Sequence, residues 1–293
     1  MQARAALKTL PGVATAQRLA SLRSCVPAAK KLRASGLPVA AAYADALRDL
    51  HVKLDGDDRT AVDLIEALRA RLRTSDAAVA MTDFGAGSNF APGEGPAKRD
   101  ASTTVGEITR TTSKPPRWAR FLFHVVRNAK PAHAVELGTS MGISGAYQGS
   151  ALRLNGQDGK LVTIEGSPSS ANLAEGHLRG LGLVPDVVSI RTGTFGDVLP
   201  GVLEELATVD YVFVDGHHDE DATKEYFAAV KPFLTPGATV VFDDIRWSAG
   251  MQRAWRAVQD DPDVSVVLDC RTVGIVAVDP SAKARVAVKV RIG

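Results

Sequence analysis

From Ala132 onward the chain alternates between two kinds of segment. Short, almost wholly apolar runs occupy 132–137, 161–165, 187–191, 211–215 and 238–243. Between them lie longer stretches with apolar residues at helical spacing, over 143–155, 169–182, 197–206, 220–233 and 248–260. Apolar strands that alternate with helices predict a parallel sheet covered on both faces. The pattern then changes. Val264–Asp269 and Val273–Val278 lie only a few residues apart, which predicts an antiparallel pair at a sheet edge. Residues 285–292 alternate apolar and polar and read as one further edge strand. The expected architecture is α/β, a doubly wound, mostly parallel, seven-stranded Rossmann-like sheet.

The first half reads differently. Residues 1–80 carry a helical pattern, clearest over 40–50 and over 60–72, where Val62, Leu64, Ile65, Leu68 and Leu72 share a face. Pro11, Pro27 and Pro38 are expected to interrupt any long helix there. Residues 81–114 are rich in Gly, Ser, Thr and Pro and read as loop. Trp118–Ala129 reads as a helix with Phe121, Leu122, Val125 and Val126 on its apolar face, leading into the first strand. The chain thus divides into a helical N-terminal extension with a loop, 1–114, and an α/β domain, 115–293. The extension is expected to serve as a lid or a dimer surface.

The chemistry gathers at the carboxyl ends of the strands. Ala134 to Tyr147 reads as a strand, a glycine turn and the opening of a helix, with Glu136, Gly138 and Gly142 in an acidic-x-Gly-x-x-x-Gly pattern. Gly138 permits a tight turn and a close ligand approach to the main chain, where open α/β sheets bind nucleotide-like ligands. Glu165 ends the second strand, where a carboxylate can take both hydroxyls of a ribose. A second acid-glycine loop, Asp83 to Ser88, is followed by Asn89-Phe-Ala-Pro-Gly-Glu-Gly-Pro96, which cannot open a helix.

Asp215 closes the fourth strand, and Asp243 with Asp244 closes the fifth. Carboxylates converging on one sheet edge repel unless a cation or hydrogen-bond donors neutralise them. Hard divalent cations prefer such oxygen ligands. Helix capping is the simpler use of an acid and suits one of the three better than all of them. His217 and His218 follow Asp215 directly, and an imidazole is suited to taking a proton near neutral pH.

Composition narrows the partners. A net charge of +2 argues against a general nucleic-acid surface. Cys25 and Cys270 lack metal-ligand spacing and suit a reducing compartment, so a cytoplasmic location is expected. No apolar run approaches a membrane span. The first 44 residues hold Arg4, Lys8, Arg18, Arg23, Lys30, Lys31 and Arg33 and no acid, and read as a basic helical extension rather than a transit peptide or membrane-surface helix.

Taken together, Glu136-x-Gly-x-x-x-Gly, Glu165, Asp215-Gly-His-His and Asp243-Asp244 resemble the class I S-adenosylmethionine-dependent methyltransferases. The nearer similarity is to the metal-dependent small-molecule O-methyltransferases of the catechol and sugar types, over about 115–279. Phe242 to Trp255 and Thr82 to Ser88 resemble one bacterial branch of that superfamily. The resemblance implies residue roles. Glu136, Gly138, Thr139, Ser140 and Gly142 would hold the methionine part of the cofactor, and Glu165 with Gly166 the ribose. Thr194, Phe195 and Gly196 would lie along the adenine, with Asp215 and His217 also against the cofactor. Asp215, Asp243 and Asp244 would hold a divalent cation, magnesium being the expected one, and His218 would be the base. Trp247 would line the acceptor pocket.

The implied reaction is methyl transfer to a hydroxyl of a catechol, sugar or other natural product, with no nucleic acid or membrane partner and with homodimerisation as one use of the N-terminal half. Two other readings remain open. Gly138, Gly142 and Gly145 also fit a nicotinamide oxidoreductase, whose short-chain type needs a Tyr-x-x-x-Lys pair; Tyr226 and Lys231 are the nearest candidates. A non-catalytic cofactor-binding interaction module is the other.

Overall fold

The computed structural model describes residues 11–83, 99–156 and 158–292. Three helices come first, α1 (Pro11–Ala34), α2 (Pro38–Asp49) and α3 (Gly56–Arg73). A two-stranded antiparallel ladder follows, β1 (Ala78–Asp83) with β2 (Arg99–Thr104), and then α4 (Val105–Thr112) and α5 (Pro116–Ala129). The α/β part runs β3 (His133–Leu137), α6 (Ile143–Leu154), β4 (Lys160–Glu165), α7 (Pro168–Gly180), β5 (Val188–Thr192) and α8 (Phe195–Leu206). It continues through β6 (Val209–Val214), α9 (Glu220–Val230), β7 (Leu234–Phe242) and α10 (Ala249–Asp260), and ends in β8 (Val264–Asp269), β9 (Gly274–Val278) and β10 (Val286–Lys289).

The main sheet has the order β10-β8-β9-β7-β6-β3-β4-β5. The five strands from β7 to β5 are parallel, and β9 runs antiparallel to both β7 and β8. This is the doubly wound fold expected, with eight strands in place of seven because β10 adds to the edge, parallel to β8. The strand order reverses between β3 and β6, whose pairing sets Leu137 beside Val214. That switch point opens the crevice in which such sheets bind ligands.

Burial on both faces explains the apolar strands. In β6, Tyr211 and Phe213 point into one core and Val212 and Val214 into the other, following the two-residue period of a strand. The first core includes Leu32, Leu47, Ile65, Phe121 and Tyr147; the second includes Leu199, Phe227 and Trp255. Helices α1, α2 and α3 therefore share a core with the sheet, and the division at 114/115 does not separate two cores.

Three local expectations need correction. Helix α1 runs through Pro27 instead of breaking there. Cys25, Ala28 and Leu32 are buried in the core around it, so tertiary packing overrides the lost backbone bond. At Pro38 the helical stretch does break, as expected: α1 ends at Ala34 and Pro38 opens α2, where its missing N–H costs nothing. The stretch read as loop contains β2 and α4, and residues 78–80, read as helical, belong to β1. That hairpin was hidden because β2 is polar and its partner lies across an intervening segment. The acid-glycine loop from Asp83 to Ser88 lies, beyond Asp83, outside the described residues.

One side chain ties the N-terminal helices to the sheet. The fully buried Tyr43 on α2 places its hydroxyl 2.9 Å from Thr239 Oγ1 of β7 and 3.2 Å from the Val276 carbonyl oxygen of β9. Removing one partner of a buried bond costs about 1–3 kcal/mol. Tyr43→Phe is therefore expected to lower stability by about 1–2 kcal/mol in denaturant melts. A loss under about 0.3 kcal/mol would mean that the hydroxyl contributes nothing.

Candidate active site

The strand register places the site. Gly138 N donates to the Ile164 carbonyl at 3.0 Å, Asp215 N to Leu137 O at 2.9 Å and Asp243 N to Val214 O at 3.0 Å. These bonds extend the ladder by one step and bring the ends of β3, β6 and β7 flush at one edge. Gly138 has φ +105°, and a Cβ there would lie 2.2 Å from the Asp215 carbonyl oxygen. Only glycine lets the turn pass this close to β6. Gly142, φ +80°, then caps α6.

Two carboxylates hold the turn from opposite sides. Glu165 accepts from Ser140 N at 2.7 Å and from Ser167 N at 2.9 Å, so its headgroup is oriented over the turn. Glu136 lies beneath and is fully buried. It accepts from Gln148 Nε2 and Thr163 Oγ1, both at 2.7 Å, and Thr163 Oγ1 lies 2.6 Å from Thr139 Oγ1. Burial above all raises the Glu136 pKa to about 7; the charge of Asp215 adds to the rise, and bonds from Ser144, Thr163 and Gln148 oppose it. From the N-terminal side, Thr112 Oγ1 meets Ser140 Oγ at 2.8 Å.

The acidic strand ends contain a partner that sequence reasoning missed. Lys114, between α4 and α5, places its ammonium 3.1 Å from Asp215 Oδ1 and in direct contact with Asp243 Oδ2. The three side chains are 13 %, 13 % and 3 % exposed, in that order. The largely buried Arg69 anchors this lysine by donating to the Lys114 carbonyl at 2.6 Å. A lysine ahead of two prolines gives no sequence signal, because only the fold brings residue 114 to residues 215 and 243.

His218 completes the cluster. Its Nε2 lies 4.0 Å from Asp215 Oδ1 and 3.9 Å from Asp244 Oδ2. Burial lowers its pKa and Lys114 lowers it further, against Asp215 and Asp244, which raise it. The imidazole is thereby held neutral and able to accept a proton. Donor atoms of Asp215, His218 and Asp243 lie within 4.8 Å of one another, so the donor types suit a cation. Asp244, expected as the third ligand, is outside that group. The ammonium of Lys114 already stands at both carboxylates, so as arranged the set does not fit a divalent ion.

The remaining expected residues line the same edge. Thr194 caps α8, accepting from Asp197 N at 3.3 Å. The Phe195 ring lies under the following turn, where a Cβ on Gly216 would meet it at 2.6 Å. Phe195 packs edge-on against His217, with ring centroids 5.4 Å apart, and His217 stacks on Tyr226 at 5.8 Å, its Nδ1 bonded to the Tyr226 hydroxyl. Lys231 pairs instead with Asp261 and Asp263, so Tyr226 and Lys231 do not form the pair an oxidoreductase would need. Gly166 directly follows β4, and Gly196 lies in the first turn of α8. Trp247 is 52 % exposed with its ring 6.4 Å from His218, while Trp255 is buried against Phe242 and Trp118 packs edge-on against Phe121. Ser140, His217, His218 and Asp244 all have left-handed φ between 43° and 63°. Such strained backbone gathers at functional sites.

Comparison with known proteins agrees with this geometry. Residues 135–245 match a family model described as a methyltransferase domain. The match begins within β3 and ends just past Asp244, so it spans the whole acidic edge. No curated protein matches the chain. Its fold is similar to that of an O-methyltransferase from Bacillus cereus in complex with S-adenosylhomocysteine, at 19% identity and TM-score 0.52 over 79% of this chain and 94% of that one. It is also similar to an S-adenosylhomocysteine-bound methyltransferase of Podospora anserina, at 17% identity and TM-score 0.50 over 57% and 80% of the two chains. The fold is like that of these methyltransferases. The glycine turn and the acidic strand ends lie inside the segment matched to a methyltransferase domain.

Two outcomes follow for the turn. Glu136 binds its proton more tightly folded than unfolded, so wild-type stability should fall as pH rises from about 4.5 to about 7 and level off above. Glu136→Gln should remove that fall, on the order of 2–3 kcal/mol, in melts compared at about pH 5 and pH 8. Parallel pH profiles for the two proteins would show Glu136 unperturbed. Gly138→Ala should destabilise the fold by at least ~2 kcal/mol, because the new methyl has no room beside the Asp215 carbonyl; a stability loss below about 0.5 kcal/mol would contradict the close approach.

Proposed function

We propose that this chain is an S-adenosylmethionine-dependent O-methyltransferase acting on a hydroxyl of a small molecule. The observation that carries the reading is the glycine turn of β3 under the oriented Glu165 carboxylate, within the segment matched to a methyltransferase domain. The close-packed turn at Gly138 and the strand-end acid fit a nucleoside-bearing cofactor. Main-chain atoms of 138–142 would hold its methionine part, Glu165 and Gly166 its ribose, and Thr194, Phe195 and Gly196 its adenine, with Asp215 and His217 along it. Glu136, buried below, supports the turn through Thr163 and Gln148.

S-adenosylmethionine supplies an electrophilic methyl on a sulfonium, a donor reactive enough that orientation provides most of the rate. The protein's part is to place one acceptor hydroxyl near His218 and to exclude water. His218 takes the hydroxyl proton at Nε2, and the oxygen takes the methyl as the carbon–sulfur bond breaks, leaving a thioether. Trp247, exposed beside His218, offers a flat apolar face for the acceptor. The magnesium-like ion that the resemblance implies has no step here, because Lys114 stands where it would bind. Thr112 and Lys114 bring the segment around the α4–α5 junction to the site and serve this reading as part of its cover.

Calorimetry with S-adenosylhomocysteine tests the cofactor reading, with NADH as control. Micromolar binding of the first and none of the second is expected; binding of NADH alone would favour the oxidoreductase, and binding of neither would favour the interaction module. His218→Ala should keep S-adenosylhomocysteine affinity and lose about 10²–10⁴-fold in turnover. Unchanged turnover would remove His218 from the chemistry.

A further inference from the structure

The acidic edge of the sheet carries its own counter-ion. Lys114 brings its ammonium between Asp215 and Asp243 on the segment that joins α4 to α5. Its position is fixed from several directions. Arg69 grips the Lys114 carbonyl, and Arg69 itself is held by Glu66 at 2.9 Å. Pro115 and Pro116 follow, with Pro116 opening α5. Two residues before the lysine, Thr112 bonds the glycine turn through Ser140.

We propose that Lys114 is the resident cation of this methyltransferase site, standing in place of the divalent ion that the two carboxylates and His218 would otherwise bind. Three physical arguments carry this. First, an ammonium and a hard divalent cation seek the same carboxylate oxygens, and one space cannot hold both. Second, an incoming ion would have to displace the ammonium from two largely buried carboxylates as well as shed its own water. Third, Arg69 on the Lys114 carbonyl and Thr112 on Ser140 fix the backbone around residue 114, so the lysine stem starts from a set point at the acidic edge. A tethered ammonium differs from a metal in one chemical respect. It donates to Asp243 and pairs with Asp215, and an ammonium has no open coordination positions with which to chelate a pair of substrate oxygens. The acceptor is then engaged through one oxygen. This inference rests on the methyltransferase reading only for the name of the site; the cation exchange itself is a property of the three side chains.

The test is Mn²⁺ titration of the full chain, read by electron paramagnetic resonance of free Mn²⁺. It uses wild type, Lys114→Met and the double variant Lys114→Met/Asp215→Asn. Methionine keeps most of the apolar stem without the charge. Lys114→Met is expected to bind one Mn²⁺ at least tenfold more tightly than wild type, and the double variant is expected to lose that gain. Equal Mn²⁺ affinity in wild type and Lys114→Met, whether both bind or neither does, would overturn the proposal. Lys114→Gln gives the same comparison if the methionine variant does not fold, with thermal melting checking each protein. Binding of S-adenosylhomocysteine, measured on the same samples, reports the donor site separately. Its loss in wild type would remove the functional reading while leaving the Mn²⁺ comparison intact.

Discussion

An ammonium held between two carboxylates is the constraint on which the site depends. Parallel strands with a common register deliver Asp215 and Asp243 to one edge, side by side and largely buried. Two such charges without a counter-ion would be costly there. Lys114 neutralises part of that charge, and by doing so it fastens the α4–α5 segment across the end of the sheet. Thr112 adds a second fastening to the glycine turn. The N-terminal half is thus part of the site's wall, in keeping with the core that α1, α2 and α3 share with the sheet.

The turn and the acidic edge are also linked to each other. Gly138 packs against the Asp215 main chain, and the Asp215 charge contributes to the raised pKa of Glu136 below. Left-handed backbone at Ser140, His217, His218 and Asp244 marks the three turns that follow β3, β6 and β7. His217 packs on Tyr226 and Phe195, whereas His218 faces Asp215, Asp244 and Trp247. Adjacent histidines therefore point into different surroundings.

The strands, their order of appearance, the glycine turn and the strand-end acids were all legible in the sequence, because each is a local pattern of apolar runs and punctuation. The eighth strand was visible as the alternation in 285–292, though not as a member of the count. What the sequence hid depends on distance. Lys114 meets its partners 101 and 129 residues away, and nothing around it marks the encounter. The polar strand Arg99–Thr104 has no apolar period to reveal it. Pro27 gave a local signal that the surrounding core overrode. Asp244 follows Asp243 directly, yet it faces His218 from a left-handed backbone and is not part of the Asp215–His218–Asp243 group, which spacing alone cannot show.

The most direct measurement is a double-mutant cycle between Lys114 and Asp243, using Lys114→Met, Asp243→Asn and the pair, with unfolding free energies from denaturant melts. If the ammonium and carboxylate hold each other in the folded protein, each single change leaves a buried charge stranded and the double change relieves it. The expected coupling is at least ~1.5 kcal/mol, with the double variant more stable than the sum of the singles requires. Additivity within about 0.3–0.5 kcal/mol would mean that Lys114 does not sit between the strand ends in solution, and the account of the site would fall with it.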